Sequence, residues 1–221
     1  LLGIAGDPLL KNNKEVDGVE YLSNRKIEKI KNVYAISAVG NINLKKKIVK
    51  TIENYNFRLA TLIHPSLYIY NDTKILEGTI VFENAQIGHT THVGKNVLVS
   101  FGCDIGHNIT IGNYTSILPL ATIGGYCNIG NDCIIGSGVN IKPNIHIGTN
   151  CSIGIGSIII NDVKKNFSVI SGSKNICKAH DAARAKDHFD LVIRNLATNR
   201  DSESFHNVPQ TLHSGPSPCS P

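Results

Sequence analysis

The chain has 221 residues, of which 41% are hydrophobic, 18% charged and 6% aromatic, with a formal net charge of +5. This is the make-up of a globular protein with one large domain or two small ones. No apolar run approaches the ~20 residues of a membrane-spanning helix, no signal peptide is evident, and no basic stripe with stacking aromatics marks a nucleic-acid surface.

Residues 1–60 read as a small, partial α/β domain. Val33-Tyr34-Ala35-Ile36-Ser37-Ala38-Val39 is an apolar, strand-like run closed by Gly40-Asn41. Residues 43–55 read as a helix with Leu44, Ile48, Val49 and Ile52 on one face, and Lys45-Lys46-Lys47 as a solvated face of it. Phe57–Leu62 is a second short strand, which completes a βα unit. The chain contains no methionine, so it reads as a fragment or a processed product.

A different rule governs residues 61–178. Counting in sixes from Ile63 gives Ile63, Ile69, Ile75, Val81, Ile87, Val93, Val99, Ile105, Ile111, Ile117, Ile123, Ile129, Ile135, Ile141, Ile147, Ile153 and Ile159. All seventeen are Ile or Val, although those two types fill only 45 of the 221 positions. Gly follows the aliphatic residue at Gly88, Gly94, Gly106, Gly112, Gly124, Gly130, Gly136, Gly148 and Gly154. A stride of six fits neither a helix nor an alternating strand. It fits a parallel β-helix in which each hexad supplies one short side and three sides close a triangular coil. Coils stack at about 4.8 Å, with β-branched residues pointing inward. Seventeen hexads make roughly five to six coils, stable only by stacking on one another.

The same register addresses the cysteines. There are six, an even number that suits three disulfides, metal ligation or packing. Cys103, Cys127, Cys133 and Cys151 each lie two residues before a hexad aliphatic, at positions otherwise held by Ala, Thr, Val, Ile or Ser. That register predicts inward packing, since a free Cys behaves as a small hydrophobe, and no CxxC motif appears. Reduced core thiols predict a cytoplasmic setting. Beyond 178 the pattern changes: 179–196 suits a helix, and 200–221, rich in Ser, Pro, His and Asn, suits disorder. Cys219 in that tail reads as an incidental exposed thiol.

With an apolar core, chemistry must sit on corners and outward positions. His89 and His107 both follow a Gly and stand 18 residues apart, one coil, with Gly125 one coil further on. They are expected to stack on one corner. A histidine facing a backbone N–H outside the ladder is a candidate general base with an oxyanion donor. Exposed turn residues would show the same spacing.

Ile63-His64-Pro65-Ser66, the uninterrupted hexads and Ile105-Gly106-His107-Asn108 together resemble the left-handed β-helix sugar acetyltransferases of bacterial surface-glycan synthesis. That family includes sialic-acid O-acetyltransferases and N-acetyltransferases of nucleotide-linked 4-amino sugars, and the resemblance covers roughly residues 1–178. It implies a left-handed helix, acetyl-CoA as co-substrate without a metal, and a homotrimer with active sites in the grooves between adjacent β-helices. His107 would be the base that takes a proton from the sugar amine or hydroxyl. Asn108 stands where the family has an acidic residue that orients the histidine. Gly125 matches the glycine whose N–H holds the thioester oxygen. Ser116 replaces a second, cofactor-touching histidine, and Ser137 and Ile155 match positions lining the CoA groove. Asp7, in Gly3-Ile4-Ala5-Gly6-Asp7-Pro8, fits the acidic residue that meets a nucleotide-sugar substrate. The family's first strand and Gly-rich loop would precede Leu1, which suggests truncation by about 25–30 residues, one βα unit.

Three functions compete at this point. The first is an acetyl-CoA:sugar acetyltransferase. The second is a zinc lyase of the carbonic-anhydrase type, which needs three histidines around an open metal, for which His89, His92 and His107 are available. The third is a non-catalytic or decayed scaffold, in favour of which stand Asn108, Ser116 and the absent Gly-rich loop.

Overall fold

The computed structural model describes residues 33–170 continuously, together with 15–16, 19–20, 22, 31 and 177–179. Asp7, the helix expected over 179–196 and the tail to 221 lie outside the described residues, save for the short strand Cys177–Ala179.

The fold is mainly β, a parallel β-solenoid that matches a left-handed β-helix. Sixteen of the seventeen hexad aliphatics close a two-residue strand; Ile69 does not. Strands join a neighbour one coil away in register. Leu98 and Val99 pair with Ser116 and Ile117, Asp104 and Ile105 with Thr122 and Ile123, and Thr110 and Ile111 with Asn128 and Ile129. These pairs sample three faces. The first runs from Leu62–Ile63 to Phe167–Val169, the second from Gln86–Ile87 to Ile158–Ile159, and the third from Lys74–Ile75 to His146–Ile147. From Val81 onward the aliphatic residue of each strand is buried, and together they form one continuous core. Ile63 remains exposed at the open first coil.

Every sixth residue from Gly78 to Gly156 turns a corner in the left-handed backbone region, with φ between +56° and +77°. Ten of these fourteen positions carry Gly, Asn or Asp, the residues that adopt this conformation most cheaply. The glycines that follow nine of the aliphatics have another task. A Cβ on Gly106 would lie 2.9 Å from the backbone nitrogen of Gly125 in the next coil, so a side chain there would force the coils apart. The period breaks after Ile159. Ser152 pairs with Ser168, so the last coil holds 16 residues and not 18.

The four core cysteines are free and buried, and they do more than fill space. Thr79, Thr91 and Thr115, in the same inward register, each donate a hydroxyl proton to the carbonyl fifteen residues ahead, at 2.8–3.0 Å. Cys103, Cys127 and Cys133 aim their thiols at the equivalent carbonyls of Leu118, Lys142 and Gly148, at 3.1–3.2 Å. Cys and Thr thus fill one role, a small inward side chain with one proton to give.

Ahead of the solenoid, Tyr34–Ala35 and Arg58–Leu59 pair in parallel around helix α1, Ile42–Asn54. Asn41 caps α1 by accepting from the Leu44 N–H at 2.9 Å. The helix's buried residues are Lys45, Val49 and Ile52, whereas Leu44 is exposed. The expected solvated lysine face is therefore corrected. Lys45 is only 4% exposed and its Nζ donates to the Asn96 carbonyl. Lys46 pairs with Asp132 and lies 5.2 Å over the ring of Tyr114. Asn96, Tyr114 and Asp132 form one corner column at an 18-residue stride, so the helix is held along that corner by its cations. Burial pushes the Lys45 ammonium below the usual lysine range.

Candidate active site

The corner between the second and third faces carries the residues singled out by spacing. His89 and His107 stack with ring planes 4° apart and centroids separated by 5.2 Å. Each histidine is held by the left-handed residue that follows it. Asn108, at φ +56°, places Oδ1 2.9 Å from Nδ1 of His107. Thr90, at φ +57°, places Oγ1 3.1 Å from Nδ1 of His89. A carboxamide oxygen only accepts, so in the neutral form of the ring Nδ1 of His107 carries the proton and Nε2 keeps a lone pair. A ring with one nitrogen tethered and the other bare is set up to take a proton.

Gly125 lies beside that bare nitrogen. A Cβ on Gly125 would meet Nε2 of His107 at 2.9 Å and Cε1 at 3.0 Å. Only glycine leaves this space for a reacting group. The Gly125 carbonyl is engaged by the Asn144 N–H at 3.0 Å, while its own N–H meets no acceptor among the described residues. A free backbone N–H beside a proton acceptor is the pair needed when an amine or hydroxyl attacks a carbonyl.

Two neighbours escaped the sequence reading. Tyr126 sets its ring edge-on to His107, at 5.0 Å between centroids and 85° between planes. Asp72 accepts from the Thr90 hydroxyl at 2.9 Å. The available signal was the stride itself, because Asp72, Thr90, Asn108 and Tyr126 stand 18 residues apart.

The other candidates do not share this corner. Ser116 opens a first-face strand and is buried, its hydroxyl without a partner among the described residues. Ser137 and Ile155 occupy the corner between the first and second faces, where the Gly156 N–H donates to the Ser137 carbonyl at 2.9 Å. Ile155 is 68% exposed there, on a corner that also exposes Phe101 and Leu120 in earlier coils. His92 lies on a third-face strand. Among the described residues no three His, Cys, Asp or Glu side chains gather where a metal ion could be held.

No family model matches the chain. It is 29% identical over 115 residues to the GDP-perosamine N-acetyltransferase of Escherichia coli O157:H7, a match spanning 51% of this chain and 52% of that protein. The chain therefore spans about half the length of this curated relative. Among solved structures it is similar to WeeI from Acinetobacter baumannii AYE, with TM-score 0.72, 21% identity and coverage of 80% of this chain and 84% of that one. It is also similar to PerB from Caulobacter crescentus in complex with CoA and GDP-perosamine, with TM-score 0.69, 20% identity and coverage of 76% and 83%. The acetyltransferase domain of PglB from Neisseria gonorrhoeae FA1090 matches with TM-score 0.68, 21% identity and coverage of 76% and 83%. At these identities the structures establish the fold. The chain is thus a hexapeptide-repeat, left-handed parallel β-helix of the kind these acetyltransferases build, and it is similar in sequence to one that acts on GDP-perosamine.

Proposed function

We propose that the chain is an acetyl-CoA-dependent sugar acetyltransferase whose acceptor is a nucleotide-linked amino sugar. One observation carries the proposal: His107, tethered through Nδ1 to Asn108, presents Nε2 beside the open backbone of Gly125. In this reading Nε2 removes a proton from the acceptor amine as its nitrogen attacks the acetyl carbonyl. The Gly125 N–H then holds the oxygen that gains negative charge, and collapse of the tetrahedral species expels CoA as its thiolate. A thioester is already activated, so the step asks only for a base and an oxyanion donor. The name of the curated relative and the CoA and GDP-perosamine bound to PerB support this substrate class.

Ser137 and Ile155 would line the acetyl-CoA path. Their corner presents Ile155, Phe101 and Leu120 to solvent, an apolar strip suited to a pantetheine arm. It is a different corner from that of His107, so within one chain the base and this strip stand on separate edges of the prism. A homotrimer, with one chain's histidine corner facing a neighbour's apolar corner, reconciles the two. Residues 1–60 would form the acceptor-binding domain, 61–178 the catalytic β-helix and 179–221 an appended tail. Asp7 would contact the nucleotide sugar, and the protein would work in the cytoplasm on a surface-glycan precursor.

The test is CoA release from acetyl-CoA, with a panel of amino-sugar nucleotides and sialic acids as acceptors. Activity on an amino-sugar nucleotide that falls at least ~100-fold in His107→Ala, the usual scale of a lost general base, is the expected result. Undiminished turnover in that variant removes His107 from the role. Zinc bound stoichiometrically to purified protein would point to a lyase, and acetyl-CoA binding without turnover to a scaffold.

A further inference from the structure

The second histidine on the active corner is not accounted for by the acetyl-transfer reading. We propose that His89 is a positioning residue for His107, its imidazole ring the wall that fixes the plane in which His107 presents Nε2. The inference rests on the reading of His107 as the base.

The corner is built twice, one coil apart. In each copy a glycine precedes a histidine, and a left-handed residue follows and holds Nδ1: Gly88-His89-Thr90, then Gly106-His107-Asn108. The backbones are tied as well, since the Asn108 N–H donates to the His89 carbonyl at 3.0 Å. The upper ring is therefore delivered parallel to the lower one and in register with it, 4° off plane at 5.2 Å. His107 also packs against Tyr126, the two rings perpendicular at 85° with centroids 5.0 Å apart. Free rotation about the Cβ–Cγ bond would swing Nε2 away from Gly125. The parallel ring of His89 and the perpendicular ring of Tyr126 remove that freedom.

Thr90 shows that the upper copy is more than an incidental turn. It is the only β-branched residue among the described non-glycine residues with positive φ. A β-branched side chain is disfavoured there, and Asn, used at five positions of this solenoid series, would relieve it. What Thr90 supplies is a hydroxyl that joins two groups. It donates its one proton to Oδ2 of Asp72 at 2.9 Å, so it can only accept from Nδ1 of His89 at 3.1 Å. Asp72 in turn is one coil before Thr90. The chain Asp72–Thr90–His89 thus anchors a ring whose free face lies against His107, while Tyr70 closes its far side edge-on at 6.1 Å.

The test compares His89→Ala, His89→Phe, Thr90→Val and His107→Ala by steady-state kinetics for both substrates. The side chain of His89 is 55% exposed, so His89→Ala is expected to fold, which a thermal midpoint checks. A misplaced base costs rate rather than binding. We expect kcat to fall roughly 10- to 100-fold in His89→Ala, with KM for acetyl-CoA and acceptor within about twofold. His89→Phe restores the stacked ring and should recover most of the lost kcat. Thr90→Val keeps the shape, frees the His89 ring from its tether and should fall between them. Wild-type kcat in His89→Ala overturns the inference. So does a loss that His89→Phe fails to recover, because His89 would then act through its nitrogens. If His107→Ala remains active, the base reading itself falls; if His107→Ala is inactive while His89→Ala is unimpaired, only this inference falls.

Discussion

Asn108 holds His107 through Oδ1 at 2.9 Å while its own backbone turns the corner at φ +56°. The two tasks pull on residue choice in different ways. The backbone prefers Gly or Asn, and the imidazole prefers the strongest acceptor within reach. Asn serves both, and since Asp132 turns an equivalent corner at φ +60°, the backbone by itself does not dictate an amide where an acidic residue was expected from the resemblance.

The two tasks can be separated by substitution. Asn108→Gly keeps the corner at no conformational cost and deletes the acceptor. A neutral hydrogen bond is worth about 0.5–1.5 kcal/mol, so kcat should fall roughly 2- to 12-fold with the thermal midpoint unchanged. Asn108→Asp supplies a charged acceptor, worth about 1.5–3 kcal/mol, and stabilises the imidazolium formed when His107 takes its proton, so kcat should rise. Identical kcat in all three proteins would reduce Asn108 to a turn residue.

Gly125 and Gly112 look alike in sequence, yet they should fail in opposite ways when given a methyl group. At Gly112 the new Cβ would lie 2.5 Å from the backbone nitrogen of Asn131. Backbone of a stacked coil cannot yield, so Gly112→Ala should cost about 1–3 kcal/mol of stability. At Gly125 the nearest atom is Nε2 of His107, at 2.9 Å, the far end of a side chain, and Gly125 is not in the left-handed region. Gly125→Ala should therefore fold, with a midpoint shift of less than about 3 °C, while the displaced imidazole costs on the order of 10²-fold in kcat. Paired melting and activity curves check both outcomes, and a Gly125→Ala enzyme with full turnover would refute the placement of the reacting group.

The stride of six made the solenoid legible because burial repeats with it. Ile105 or Ile123 faces inward for the same reason as its neighbours 18 residues away. The stacking of His89 on His107 followed from that arithmetic alone. Lys45 was misread because helical periodicity describes one element by itself. The partner that buries Lys45 is the corner at Asn96, which is 51 residues away in sequence. Ile69 fits the stride and yet forms no strand, although Ile63 and Ile75 on either side of it pair with the following coil. The role of Thr90 and Asp72 stayed hidden because it depends on which proton a hydroxyl gives and which it receives. Spacing does not carry that information; geometry at 2.9 and 3.1 Å does.

The core thiols make stability depend on alkaline pH. Burial pushes Cys103 and Cys127 above the ordinary thiol range, whereas in the unfolded chain they ionise near ~8.5. The folded state binds protons that the unfolded state has released. Their contribution is therefore fully present below about pH 8 and is lost as pH rises toward the folded values. Urea unfolding should give a lower midpoint at about pH 9.5 than at about pH 7, with lysines and tyrosines contributing to the difference. The double variant Cys103→Thr, Cys127→Thr isolates the thiols. Threonine already donates to the equivalent carbonyls from Thr79, Thr91 and Thr115, so it should replace each cysteine without disturbing the coil, and it has no proton to lose in this range. The double variant should unfold at a similar urea concentration near pH 7 and lose less of its stability by pH 9.5. Equal losses in the two proteins would mean that the buried thiols ionise as readily in the fold as in the open chain.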